Sequence, residues 1–299
     1  MRVVQLDLIR GVALLGIFAM NITLFAYSES DLVDFGRQLG EFYPSMDNGV
    51  ASFLYGHFMM TSYTMTYALF SQKMITLFSF LFGASILLIT EKLEKKGGNS
   101  AAIYFKRNFW LLIIGVVHVS IWYGDILLIY AFAAFLVYPF RQLGVKHLLL
   151  FSMPLYLFYI LYVGPMLGSK YSNADASTIT KSHLVWSYEN LIQIKYFTLS
   201  LANMLIGMAL YKTGFITGES STRSYRNWAI FGLIIGLVLQ VLALFVGEEF
   251  GIGISVNNLA TIIQALSYIG IIALWSRSRK FMWLQQRLQA IGRTALSHY

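Results

Sequence analysis

Long apolar runs, each about 20 residues and broken by short polar stretches, dominate the chain. Runs of that length match the thickness of a bilayer core when helical. The pattern predicts eight crossings, near residues 6–27, 71–90, 108–124, 126–140, 147–167, 190–211, 227–247 and 257–276. The third and fourth are short and share the tight turn "WYGD". A ninth segment begins at "LQAIGRTALSHY" and is cut off at Tyr299, as expected of a truncated product or an incomplete chain. Between the first two crossings lies "VASFLYGHFMMTSYTMTYALF", residues 50–70. Its mixture of aromatic, Met and Thr residues suits a helix lying in the interface or re-entering the membrane. The fold class expected is all-α: a polytopic transmembrane helical bundle.

Composition agrees with the pattern. Of 299 residues, 57% are hydrophobic and only 12% charged, and the mean hydropathy is +0.63. Soluble domains carry roughly a quarter charged residues. The absence of cysteine excludes disulfides, thiolate metal sites and cysteine nucleophiles. The net charge of +8 is spread in short clusters between apolar runs, so nucleic acid is not an expected partner. Asp7 and Arg10 interrupt the start of the first run, and no small-residue cleavage pattern follows. That run therefore reads as a retained first helix rather than a signal peptide. Sixteen of the 22 Lys and Arg fall on the side of the membrane shared with the N-terminus, five fall on the other, and Arg10 lies within the first span. The N-terminus is thus expected in the cytoplasm. If residues 50–70 formed a full crossing, every later loop would change sides and the bias would largely vanish.

A single transmembrane domain over residues 1–299 is the simplest organisation. Its four-span N-terminal half, 6–140, carries the candidate site, and its C-terminal half, 147–299, stops within the last segment.

Ionisable groups inside spans cost a few kcal/mol unless they are paired or face water, so they mark candidate chemistry. Asp7 and Arg10 are three residues apart and share a helix face. They form either a binding pair or a topology anchor with a snorkelling arginine. Asn21 lies eleven residues beyond Arg10, roughly 16 Å along the helix. It is either interhelical glue or a hydrogen-bond donor to a substrate. His118, eleven residues past Arg107, falls near the midplane. Asp125 stands at the turn into the fourth span, where it can cap that helix or orient the imidazole as in a general-base pair. Lys73 at the outer entrance of the second span opposes the charge bias, which favours a role in substrate binding. Gly83, Ala84 and Ser85 in the same span permit close helix packing. No Walker, zinc-protease or serine-hydrolase motif is present. His57, His147 and His183 have no metal-ligand spacing, and no metal or resident cofactor is expected.

The stretches "LDLIRGVALLGIFAMNI", "KMITLFSFLFGAS" and "GVVHVSIWYGDILLIYAF", taken in order, resemble the YeiB-like family of membrane proteins of unknown function, as does "IGRTALSHY" near the end. That family is similar in its first span to transmembrane acyltransferases of the heparan-α-glucosaminide N-acetyltransferase type and to bacterial O-acyltransferases. Those proteins take an acyl group from cytoplasmic acyl-CoA and deliver it to an acceptor on the far side. In the O-acyltransferase branch an Arg and a His are separated by ten residues on the first span. Here Arg10 matches the arginine, and Asn21 stands where that histidine would be.

The resemblance implies an acyltransferase with acyl-CoA as co-substrate. Arg10 and the basic loops would hold the CoA phosphates, with Asp7 and Lys73 as further binding groups. The family's catalytic histidine has no counterpart on the first span; by the physical argument above His118, oriented by Asp125, would be the base, and Asn21 would donate to the developing oxyanion. The alternatives are a proton-coupled transporter using His118 and Asp125, or a non-enzymatic membrane binding protein. The expected partners are membrane lipid, acyl-CoA, a sugar or lipid acceptor and a second copy of the chain. The expected location is the bacterial inner membrane.

Overall fold

Each apolar run becomes a helix because a chain in hydrocarbon must satisfy its backbone hydrogen bonds internally. The computed structural model describes residues 3–26, 65–66, 68–121, 126–167, 182–246, 252–278 and 280–297. Among them there is no strand. The chain is a polytopic all-α bundle. Among the described residues seven helical segments are long and apolar enough to cross a membrane, and the shorter apolar helix Leu127–Gln142 occupies the remaining predicted position.

In order, the helices are α1 (Val4–Ala26), α2 (Lys73–Glu94), α3 (Ser100–Ile121), α4 (Leu127–Val137, tightening into a 3-10 turn at Tyr138–Gln142) and α5 (Val145–Phe158). They continue as α6 (Ser182–Lys212), α7 (Thr222–Asn227), α8 (Leu233–Val246), α9 (Ile252–Ser278) and α10 (Met282–Ser297). The third helix starts eight residues before its predicted boundary. The Asn99 side chain accepts a hydrogen bond from the Ala102 amide and so caps the helix in its polar first turn. Of the expected interfacial segment 50–70, only residues 65–66 and 68–70 are described, and both stretches are helical. The remainder lies outside the described residues, as does Asp125.

Two helices widen midway. Pro154 inside α5 removes an amide donor, and five residues later the helix relaxes into a π-turn at Tyr159–Val163. A second π-turn, Trp228–Gly232, joins α7 to α8.

Helix α2 is the centre of the bundle, packed against α1, α3, α4, α6 and α9. Its approach to α6 is backbone to backbone. A Cβ on Gly83 would stand 2.0 Å from the Met204 carbonyl oxygen, and one on Gly207 would stand 2.0 Å from that of Phe80. Helices α1 and α10 cross in the same way at Gly11 and Gly292. Small residues are the means by which helices meet closely in lipid, where no hydrophobic force draws them together. The opposite pattern marks the periphery. Val116 and Val117 on α3, Leu150 and Met153 on α5, and Ile234 and Val238 on α8 are exposed apolar side chains suited to lipid contact.

The Gly83–Gly207 crossing generates a prediction. Gly83→Val or Gly207→Val should cost about 3 kcal/mol or more, because the clash is with backbone that cannot rotate away. Gly98→Ala, in the loop after α2, should be neutral. Thermal unfolding in detergent compares the three; equal midpoints would show that the helices are not in contact there.

Candidate functional site

The sequence places Arg10 one and a half turns into the membrane, and packing buries it. Only 3% of Arg10 is exposed. Its Nη1 donates to Asp7 Oδ1 at 3.2 Å, one turn back on the same helix, and its Nη2 donates to Ser85 Oγ of α2 at 2.9 Å. Ser85 in turn donates to the Leu81 carbonyl at 2.6 Å, so its oxygen is oriented to accept from the guanidinium. Arg293 of α10 approaches the other Asp7 oxygen at 3.9 Å. The predicted Asp7–Arg10 pair therefore exists as a buried ion pair rather than a snorkelling anchor.

Arg10 forms part of the wall of a cavity of about 70 Å3 enclosed by α1, α2, α3 and α4. Phe78, Leu81, Phe82, Ile86 and Leu111 make most of the lining apolar. Arg107 and Asn108 of α3 complete it. Asn108 donates to the Ala131 carbonyl at 2.9 Å and Tyr104 to the Ala134 carbonyl at 3.0 Å, which clamp α3 onto α4. Arg107 is half-buried, and no carboxylate pairs with it among the described residues. Two guanidinium groups beside a greasy chamber suit an anionic head with an apolar tail. By the charge bias this cavity lies in the cytoplasmic half.

A second, smaller pocket of about 20 Å3, called the outer pocket from the side the charge bias predicts, lies nearer the start of α2, between α2, α6 and α9. Its walls are polar: Gln72, Thr76, Ser79, Ser200, Asn203 and Asn258 among others. Gln72 has φ 58°, ψ −26°, a left-handed conformation uncommon for a residue with a side chain. Lys73, beside it, is only 1% exposed, and no described residue pairs with its ammonium.

The remaining expected residues stay apart from both cavities. Asn21 is half-buried far along α1 and lines neither. His118 also lines neither, but it continues the inward stripe Tyr104, Asn108, Leu111, Gly115 of α3 at helical spacing. It therefore shares the face that borders the inner cavity, seven residues beyond Leu111, about 10 Å along the axis. The sequence reading missed Arg107, counted only as a topology charge, and the amides of Asn108, Asn203 and Asn258. Carboxamides within apolar runs were the available signal, for the same reason that singled out Asn21.

Residues 210–299 match a family model described as a protein of unknown function (DUF418). The whole chain is similar to the uncharacterized protein YxaH of Bacillus subtilis (strain 168), at 26% identity over 333 aligned residues that cover 79% of that protein. It is likewise similar to the uncharacterized protein YeiB of Escherichia coli (strain K12), at 25% identity over 335 aligned residues covering 80% of it. An uncharacterized 39.9 kDa protein in the amylase 3′ region of Bacillus acidopullulyticus is 28% identical over 142 residues, 48% of this chain and 35% of its own. The YeiB-like resemblance is thus upheld along the chain. No solved structure matches it at a significant level.

The buried ion pair can be tested by a double-mutant cycle. Asp7→Asn alone should destabilise the bundle by about 3–5 kcal/mol, since it strips the carboxylate from a buried cation. Asp7→Asn combined with Arg10→Met should cost clearly less than the sum of the single changes. Denaturation in mixed micelles gives the coupling, and strict additivity would mean that the pair is not formed.

Proposed function

We propose that this YeiB-like membrane protein is an acyltransferase of the bacterial inner membrane. It takes an acyl group from cytoplasmic acyl-CoA and passes it to a hydroxyl or amine of a sugar or lipid acceptor. The observation that carries the reading is Arg10, fixed by Asp7 and Ser85 at the wall of an apolar cavity whose other cation is Arg107. A guanidinium is the side chain suited to a phosphate, because its donors form a fork that matches two oxygens at once. The phenylalanine and leucine lining suits the acyl chain of the same molecule.

In this reading Arg10 and Arg107 hold the anionic part of the donor, and Asp7 positions Arg10. His118, oriented by Asp125, takes the proton of the acceptor. The acceptor oxygen or nitrogen then bonds to the acyl carbon while the thioester C–S bond breaks. Coenzyme A leaves as a thiolate and recovers a proton from the imidazolium. Asn21 is assigned to donate to the developing oxyanion, and Lys73 to bind substrate on the outer side. The shared face of His118 and the cavity lining on α3 supports placing base and donor in one pathway.

A proton-coupled transporter is the second reading. It is favoured by Lys73, a lysine enclosed within a span and lacking a partner among the described residues.

Equilibrium binding of acetyl-CoA and palmitoyl-CoA to the chain in nanodiscs tests the first reading. Both donors should bind, and Arg107→Gln should weaken both about tenfold or more through loss of a charge-assisted contact. Failure of both donors to bind, with pH-dependent solute flux in vesicles, would replace acyl transfer by transport.

A further inference from the structure

One side chain touches lining residues of both the outer pocket and the inner cavity. Tyr130 of α4 is fully buried, with 0% exposure. Its ring stacks on Phe78 at 5.7 Å and meets Phe82 edge-on at 5.6 Å, and both phenylalanines line the inner cavity. Its hydroxyl faces the other way. It lies 2.6 Å from Ser79 Oγ and donates to the Ile75 carbonyl at 3.0 Å, and Ser79 and Ile75 both line the outer pocket.

Two further tyrosine hydroxyls tie into the same pocket. Tyr156 donates to Asn203 Oδ1, and Asn258 Nδ2 donates to Tyr159 Oη at 2.7 Å. Tyr159 is the first residue of the π-turn in α5, so the widened helix is what brings it to Asn258. Gln72 on the opposite wall adopts its left-handed conformation at the same place. π-turns and left-handed residues that carry side chains cost free energy and concentrate at ligand sites. Ser79, Ser200, Asn203 and Asn258 are each at most 5% exposed. Polar groups so deeply enclosed in a membrane bundle are expensive unless they serve a ligand or one another.

We infer that the outer pocket is a binding site for one neutral hydroxyl group, that of an alcohol of the polyol or sugar class. The volume fixes the size of the group. A space of about 20 Å3 admits one water-sized oxygen and little more. The lining favours a neutral group, since its hydroxyls and carboxamides offer both donors and acceptors and, among the described residues, include neither a carboxylate nor a cation. Resting on the acyl-transfer reading, this is an anchoring hydroxyl of the acceptor, distinct from the group that His118 deprotonates.

The test uses a small photoreactive alcohol, a diazirine-bearing butanol, with the full chain in nanodiscs and labelled residues mapped by mass spectrometry. The methyl ether of the same probe, which cannot donate, is the control. Labelling should appear on α2, α6 and α9 around Ser79, Ser200 and Asn258, be competed by glycerol and be absent with the ether. It should fall roughly tenfold in Asn258→Leu, which removes a hydrogen bond and fills the space. Ser200→Val, a smaller change, should act in the same direction if Asn258→Leu does not fold. Labelling confined to lipid-facing positions such as Val117 or Leu150, equal labelling by the ether, or no labelling would overturn the site. Acetyl-CoA binding is measured in the same nanodiscs. Pocket labelling without donor binding would leave the hydroxyl site standing and refute its role in anchoring the acceptor.

Discussion

The backbone contact of α2 with α6 at Gly83 and Gly207 is the constraint on which the rest of the bundle depends. Helices in a bilayer gain little from burying apolar surface, so they associate by close packing and by hydrogen bonds that lipid cannot supply. With no Cβ at either crossing point, α6 supports one side of α2 over its length. The opposite side is left to α1, α3 and α4. The two faces of one central helix therefore border two different spaces. Phe78, Phe82 and Ser85 look into the inner cavity, while Gln72, Thr76 and Ser79 look into the outer pocket.

Polar side chains are distributed along this axis with a consistent logic. On the inner side the charge of Arg10 is neutralised by Asp7 and oriented by Ser85, which makes burial tolerable and leaves the guanidinium at the edge of apolar space. Beside the outer pocket no carboxylate is present among the described residues, and hydroxyls and carboxamides pair with one another through Tyr130, Tyr156 and Tyr159. Paired charges beside one space and neutral polar groups beside the other are arrangements that a bilayer tolerates. An ion is cheaper to hold near an interface that water and headgroups can reach.

Much of the fold was legible because the bilayer imposes a length. Most predicted crossings coincide with helices to within a few residues. Helices α3 and α6 each start eight residues before the predicted boundary, and in α3 a capping asparagine extends the helix into polar sequence, where hydropathy carries no signal. The Asp7–Arg10 pair was legible too, since a spacing of three residues on a helix settles that the side chains are neighbours. Which of two uses that spacing served was not legible. It turned on Ser85, 75 residues away, closing over the guanidinium. Arg107 was invisible as a site residue because its local sequence is an ordinary basic flank.

The sequence by itself determined the class of molecule and the order of its apolar helices. Those follow from hydrophobic length, which is a local and additive property. Tertiary structure alone decided which polar residues of different helices meet. Tyr130 reaches Ser79 across 51 positions, and Asn258 reaches Tyr159 across 99. Such pairings depend on the rotation of each helix about its axis, and in this bundle that rotation is set by glycine contacts and a proline-induced π-turn rather than by the apolar pattern.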